Sequence, residues 1–120
     1  MISPMKTYTG GCHCGKVRFE VATDLGIVIS CNCSYCAMRG LLLTFVPASQ
    51  FTREKGKEVL TEYRFNTMKI RHLFCKHCGI EAFGMGNKPD GSPTVAINVR
   101  CLDGIDLDAL TLTPFDGRGK

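Results

Sequence analysis

Cysteines dominate the chemistry that this sequence could perform. Eight of its 120 residues are cysteine, and seven of the eight fall into three short motifs. The first motif is Cys12-x-Cys14, the central motif is Cys31-x-Cys33-x-x-Cys36, and the last motif is Cys75-x-x-Cys78. Such turns present two or three thiolates to one metal ion, and Zn²⁺ favours four soft ligands in a tetrahedron. The spacing therefore predicts zinc sites built from cysteine turns.

Residues around the motifs support metal binding over the other uses of paired cysteines. Gly11, Gly15 and Gly79 permit the tight or left-handed turns that such sites need. A redox Cys-x-x-Cys pair usually follows a strand in a β-α-β unit, which this sequence does not suggest. Iron-sulfur ligation uses similar cysteine spacing and stays open as an alternative to zinc. Disulfides need an oxidising compartment, but Met1–Thr7 lacks the apolar stretch of a secretory signal, so a cytoplasmic location is expected.

The motifs can be combined in two ways, and spacing alone does not choose between them. Joining Cys33 and Cys36 to the last motif would make a zinc ribbon from two Cys-x-x-Cys turns. Joining the first motif to the last would close one tetrathiolate site and leave the central motif with three thiolates and one open position. An open position distinguishes catalytic from structural zinc. The ligand count slightly favours this second pairing, because a ribbon would leave three cysteines unused.

The remaining sequence predicts a mainly β protein with little helix. Lys16–Thr23 alternates apolar and charged residues, as a half-buried strand does. Further strands are predicted at 26–30, 41–46, 58–65, 70–74, 80–83 and 94–100. A surface loop is predicted over 84–93, and helical turns only at 48–51 and after Cys36. Strands this closely spaced favour antiparallel sheets, in a sandwich or tent, over a parallel sheet.

Length and charge narrow the range of partners. A chain of 120 residues is expected to form one domain, residues 1–120, with a modest core. Its formal charge of +4 would fall to about +1 if seven thiolates held two Zn²⁺ ions. Acidic residues also interrupt the basic stretch 53–58, so nucleic-acid binding is not favoured. No segment approaches the roughly 20 apolar residues of a membrane span.

Three segments around the cysteine motifs carry a resemblance to a known family. They are Gly10–Phe19, Cys31–Cys36 and Phe74–Ile80, and the similarity continues into Tyr63–Phe65 and Asn98–Asp103. In composition, order and separation they resemble the glutathione-dependent formaldehyde-activating enzyme family, which includes centromere protein V. The resemblance spans nearly the whole chain.

The resemblance implies an antiparallel β-tent stapled by zinc knuckles, with two Zn²⁺ ions per chain. The implied ligands of a structural zinc are Cys12, Cys14, Cys75 and Cys78. The implied ligands of a second, catalytic zinc are Cys31, Cys33 and Cys36. The implied activity is condensation of glutathione with formaldehyde to S-hydroxymethylglutathione, which is a carbon-sulfur lyase reaction read in reverse. A small thiol such as glutathione is therefore the expected partner.

Side chains beside the central motif are candidates for contacts with a substrate. Ser34, Tyr35 and Arg39 could donate to a developing alkoxide or hold a glutathione carboxylate. Cys101 follows an alternating apolar stretch and is expected to be a core or rim thiol. The less favoured alternative is that it approaches the second zinc as a fourth ligand. His72 is expected to be an ordinary strand histidine, either hydrogen-bonded or exposed.

Two other function classes compete with the enzyme. A non-catalytic zinc module that binds protein or nucleic acid would have every metal position filled by the protein. A metal or thiol sensor would lose its second zinc easily. An enzyme of the carbon-sulfur lyase type would instead keep one exchangeable position at the second zinc and bind thiols there.

Overall fold

A computed structural model describes residues 5–32, 34–64, 70–88 and 90–115. The strands are β1 (Lys6–Gly11), β2 (Arg18–Thr23), β3 (Val28–Cys31), β4 (Leu42–Pro47), β5 (Phe51–Lys55), β6 (Leu60–Tyr63), β7 (Arg71–Cys75), β8 (Phe83–Asn87), β9 (Pro93–Asn98) and β10 (Leu112–Phe115). The helix α1 spans Ser34–Arg39. Single 3-10 turns cover Ala48–Gln50, Lys57–Val59, Val99–Cys101 and Leu107–Ala109. The prediction of a mainly β fold with little helix is confirmed.

The strands form two sheets. The smaller sheet has the order β1-β2-β5, and the larger has the order β10-β3-β4-β9-β8-β7-β6. Neighbouring strands pair antiparallel, as predicted, except that β10 runs parallel to β3. No helix in the described ranges is long and apolar enough to cross a membrane.

The core lies between the two sheets. Phe19 and Val21 of β2, with Val17 before it, are completely buried, so the alternation read from the sequence marks the true inner face. They belong to one apolar cluster with Phe83 of β8 and Ile97 of β9. The Phe19 and Phe83 rings meet edge to face with centroids 5.8 Å apart. This aromatic contact joins the small sheet to the centre of the large one.

The segment predicted as a loop over 84–93 is the main error in the predicted elements. Phe83–Asn87 is a strand that pairs with β9, and only the residues around Gly91 turn, where the Lys88 amide donates to Ser92 O at 2.9 Å. The Gly-rich composition does not indicate a strand. Glycine is nevertheless favoured at position 84, because a Cβ there would lie only 3.1 Å from Arg71 O on β7. The strand predicted at 80–83 was correspondingly misplaced.

Three strands were missed from the sequence. They are β1, β5 and β10. All four residues of β10 are exposed, so it shows no apolar alternation, and its pairing with β3 comes from tertiary structure. The predicted strand 58–65 is shorter in the structure and gives β6, and its last residue, Phe65, lies outside the described residues.

The contact between the sheets gives a first prediction. Replacing Phe19 by Ala (Phe19→Ala) should lower the free energy of unfolding by about 3–5 kcal/mol, because a fully buried ring leaves a cavity. Urea denaturation of the metal-loaded protein measures this. Phe45→Ala is the matched control, since that ring is 49% exposed on β4, and its change should stay below about 1 kcal/mol. Equal losses in the two variants would contradict the assigned core.

Candidate metal centre

The thiols of the first and last motifs converge on one point. The four sulfur atoms of Cys12, Cys14, Cys75 and Cys78 all lie within 4.8 Å of one another. The Cys14 Sγ is 3.6 Å from the Cys12 Sγ and 3.6 Å from the Cys75 Sγ. Four sulfurs placed tetrahedrally at about 2.3 Å from a zinc ion would be about 3.8 Å apart. The donor set therefore fits a metal ion, and the last motif lies beside the first, as the ligand count favoured.

A tight turn between β1 and β2 holds the first motif. The Gly15 amide donates to Cys12 O at 3.2 Å, and Gly15 adopts the left-handed conformation, with φ of 81°. The Val17 amide donates to the Cys12 sulfur at 3.3 Å. A Cβ at Gly11 would lie 2.1 Å from Val17 O, so glycine is required where the chain folds back. The predicted role of these glycines is thus visible in the turn.

The last motif forms a similar turn after β7. The Gly79 amide donates to Cys75 O at 2.7 Å, and Gly79 is also left-handed, with φ of 78°. The His77 amide donates to the Cys75 sulfur at 3.4 Å. Backbone amides aimed at sulfur stabilise the thiolate form that a metal requires. His77 itself is exposed, which agrees with a turn residue.

Crowding of the four thiols separates their pKa values. Burial raises the pKa of Cys78, but the amides of Cys14 and Ile80 and the neighbouring thiols lower it to about 6. The Lys16 amide lowers the pKa of Cys14, but desolvation and the three other thiols together raise it to about 11. Thiolates this close repel one another, so the cluster ionises fully only around a cation.

Cys101 lies beside this cluster. Its thiol is partly buried and donates to Glu81 O at 3.8 Å. Burial raises its pKa to about 12, with further contributions from the charges of Cys12 and Cys78. It is a rim thiol on the side of the first and last motifs, within the range of positions that the sequence indicated.

The central motif lies at the end of β3 and in α1. Cys36 is buried, and Cys31 is partly buried and packs against the apolar cluster to which Cys36 belongs. Cys33 lies outside the described residues, and so does the side chain of Ser34. The Asn32 amide donates to Phe115 O at 3.1 Å, which fixes the entry to the motif on β10.

A buried carboxylate lies between the central and last motifs. The Glu81 side chain is only 3% exposed, and it accepts hydrogen bonds from the Tyr35 hydroxyl and from His72 Nδ1, the latter at 3.1 Å. Burial and the bond to Glu81 raise the pKa of Tyr35. His72 is therefore a hydrogen-bonded strand histidine, which is one of the two outcomes expected. Sequence reasoning missed Glu81, whose only signal is a lone charge in the apolar segment 80–83.

A small cleft opens beside this carboxylate. Its volume is about 160 Å³, and its lining residues are Arg39, Leu41, Gly79, Ile80, Glu81 and Asn98. Residues just after the central motif form one wall, and residues just after the last motif form the other. The Arg39 guanidinium lies 4.7 Å from the centre of the Tyr35 ring and 5.5 Å from that of Phe74. The cleft thus carries a positively charged group at its edge.

Residues 7–113 match the family described as glutathione-dependent formaldehyde-activating enzyme. The chain belongs to this family. The match contains all three cysteine motifs, so the resemblance seen in the sequence is confirmed. The fold is also similar to the crystal structure of a Rhodobacter sphaeroides protein, which is 31% identical in sequence. The similarity covers 88% of this chain and 97% of that chain, with a TM-score of 0.77.

Thiol ionisation predicts how metal binding at the four-thiol cluster depends on pH. At neutral pH the metal-free Cys14 thiol keeps its proton, so binding must expel it, and affinity should rise with pH. Below about pH 6 the Cys78 thiol is protonated as well, and affinity should fall more steeply. Competition with a chromophoric chelator across pH measures the affinity, and a pH electrode in weak buffer measures the released protons.

A matched variant isolates the proton of Cys14. The variant Cys14→Ser should bind the metal more weakly and release about one proton fewer for each ion bound. An affinity that stays constant between about pH 5 and pH 8 would contradict thiolate ligation at this cluster.

Proposed function

We propose that this protein binds a small thiol, glutathione or a close relative, and adds it to formaldehyde to form the S-hydroxymethyl thiol. In classification terms this is a carbon-sulfur lyase acting in the direction of synthesis. The observation that carries the proposal is the cleft between the central and last cysteine motifs, with a guanidinium at its edge. Membership of the formaldehyde-activating family supports the choice of reaction.

Two zinc ions per chain would serve different purposes. A structural ion would be held by Cys12, Cys14, Cys75 and Cys78, whose sulfurs all lie within 4.8 Å of one another. A second ion would be held by Cys31, Cys33 and Cys36, with one position left open. Sulfur-rich tetrahedral sites suit zinc or iron-sulfur clusters, and we favour zinc because the proposed reaction transfers no electrons. When bound at the central motif, zinc would supply Lewis acidity and lower the pKa of a thiol entering the open position.

The proposed reaction is a redox-neutral addition. A sulfur lone pair of the thiol forms the new bond to the formaldehyde carbon, and the π electrons of the carbonyl group move onto its oxygen. The proton lost by the thiol ends on that oxygen, so every atom of both reactants is kept. The work of the protein is to hold the thiol beside the aldehyde and to favour its ionised form.

The cleft supplies the groups that would hold the thiol substrate. Arg39 is proposed to bind a glutathione carboxylate, because its planar fork matches a carboxylate and its stacking on Tyr35 orients it. Arg100 supports this position, since its Nε donates to Gly40 O at 2.8 Å, directly after Arg39. Outside the cleft lining, Ser34 is proposed as a donor to the developing alkoxide from its place beside the central motif in the sequence.

Only a part of a tripeptide fits inside a cleft of about 160 Å³. The thiol end would enter, and the remaining residues would lie across the surface near Arg39. A reducing compartment agrees with this chemistry, because it keeps cysteine and glutathione in the thiol form that metal binding and the proposed reaction need. We therefore propose that the protein acts in the cytoplasm.

Spectroscopy of cobalt-substituted protein tests the proposed function. With two Co²⁺ ions bound, reduced glutathione should change the visible absorption of the second ion and leave the tetrathiolate bands of the first unchanged. S-methylglutathione is the matched ligand control, since it lacks a thiol and should produce no change. Absence of any spectral change at millimolar glutathione would contradict the enzyme and favour a fully ligated, non-catalytic zinc module.

The role of Arg39 gives a separate prediction. Arg39→Gln should raise the KM for glutathione by about 10-fold or more with a smaller change in kcat, because one charged hydrogen-bonding partner of the substrate is lost. Initial rates of S-hydroxymethylglutathione formation measure both constants. Arg53→Gln on β5 is the matched control, because it removes an arginine from the small sheet rather than from the cleft. Equal KM values for Arg39→Gln and the wild type would rule out this role.

A further inference from the structure

One buried carboxylate connects the two cysteine sites. Glu81 uses both of its oxygens: Oε1 accepts from the Tyr35 hydroxyl, and Oε2 is 3.1 Å from His72 Nδ1. A carboxylate only accepts hydrogen bonds, so the His72 Nδ1 carries the proton in this arrangement. Tyr35 also packs on the His72 ring, with centroids 4.1 Å apart. The three side chains form one hydrogen-bonded unit, which we call the Glu81 bridge.

Burying such a unit costs free energy, so its presence suggests a role beyond packing. Removing a carboxylate from water costs several kcal/mol, and hydrogen bonds return only part of that cost, so an apolar residue of similar size often gives equal or greater stability. Glu81 is nevertheless only 4% exposed in a segment that is otherwise apolar. What the carboxylate adds over an apolar residue is directionality, because it accepts only from donors at defined angles.

One end of the Glu81 bridge is fixed to the knuckle of the last motif. His72 comes three residues before Cys75, and Glu81 comes three residues after Cys78, so the two side chains flank the knuckle. The Glu81 backbone is held as well, because its carbonyl oxygen accepts from Asn98 Nδ2 at 2.9 Å. A metal ion bound to the first and last motifs would therefore hold the carboxylate in place.

The other end reaches the central motif. Tyr35 lies in α1 directly before Cys36, and both residues belong to the same small buried cluster. The direction of the Tyr35 side chain is therefore coupled to that of the Cys36 thiol through one short helical turn. The Tyr63 ring stacks on Tyr35, with centroids 5.5 Å apart, and further restricts its position.

We propose that Glu81 is a positioning residue that holds Cys36, a ligand of the proposed second metal site, in its metal-binding orientation by anchoring Tyr35 to the knuckle of the last motif. This inference rests on the proposed second metal site. It makes binding at the second site depend on the first, because order in the first site preorganises the second. Groups that orient metal ligands in this way typically change metal affinity by about 10–100-fold when they are removed.

The test is a cobalt titration of the whole protein, with the first and second ions followed by their separate absorption bands. Glu81→Ala and Tyr35→Phe should each weaken binding of the second ion by about 10-fold or more, with little change for the first ion. Glu81→Gln should restore most of the affinity, because an amide can accept from Tyr35 and donate to the other tautomer of His72. Tyr8→Phe on β1 is the matched hydroxyl deletion and should leave both ions unaffected.

The outcomes separate this inference from the proposed function. Two ions in the wild type, with the second weakened in Tyr35→Phe and retained in Glu81→Gln, would support the Glu81 bridge. Two ions bound with wild-type affinity by Glu81→Ala and Tyr35→Phe would overturn the bridge alone. Equal weakening of both ions, together with a lower melting temperature, would also overturn it by showing a packing role only. A wild type that binds one ion would overturn both the second site and the bridge.

Discussion

Convergence of four thiols from two distant parts of the chain underlies the other features of this structure. Cys14 and Cys75 are separated by 61 positions in the sequence, yet their sulfurs lie 3.6 Å apart. The first motif follows β1 of the small sheet, and the last motif begins at the final residue of β7 in the large sheet. A cation at this point would therefore link the two sheets directly. Without a cation, repulsion among the four thiolates would oppose the approach of the two sheets.

The apolar core and the thiol cluster support each other. Val17 contributes its side chain to the core and its amide to the Cys12 sulfur, so packing of β2 also orients a ligand. On the outside, Asp103 accepts from Arg18 and from the Thr9 hydroxyl, which ties the segment after Cys101 to β1 and β2. A domain of this length buries a limited fraction of its surface. Links such as these, close to the four-thiol cluster, supplement the stability that its core provides.

The same architecture explains where chemistry can occur. A metal ion in the four-thiol cluster would have protein ligands at all four corners, so it would stabilise the fold but offer no place for a substrate. The cleft lies instead between residues at the end of α1 and residues that follow the last motif. At the cleft the Glu81 carboxylate is buried, and the Arg39 guanidinium lies over the Tyr35 ring. The four-thiol cluster and the cleft are thus separated by only a few residues of the same knuckle.

The local features of this protein follow from short stretches of its amino-acid sequence. The cysteine spacing, the glycines at left-handed turns and the alternation of Val17, Phe19 and Val21 each follow from short-range chemistry, and each is found in the structure. The family resemblance also needed only the order of the motifs. The mainly antiparallel β fold followed from short strands separated by turn residues.

Tertiary structure alone decided the features that depend on distant partners. Strand β10 is wholly exposed and exists through pairing with β3, and the Gly-rich strand β8 exists through pairing with β9. The choice between two pairings of the motifs, which spacing left open, was made by packing of the two sheets. Glu81 looked like a stray charge until folding brought it to Tyr35 and His72, because a buried carboxylate has meaning only through the donors that surround it.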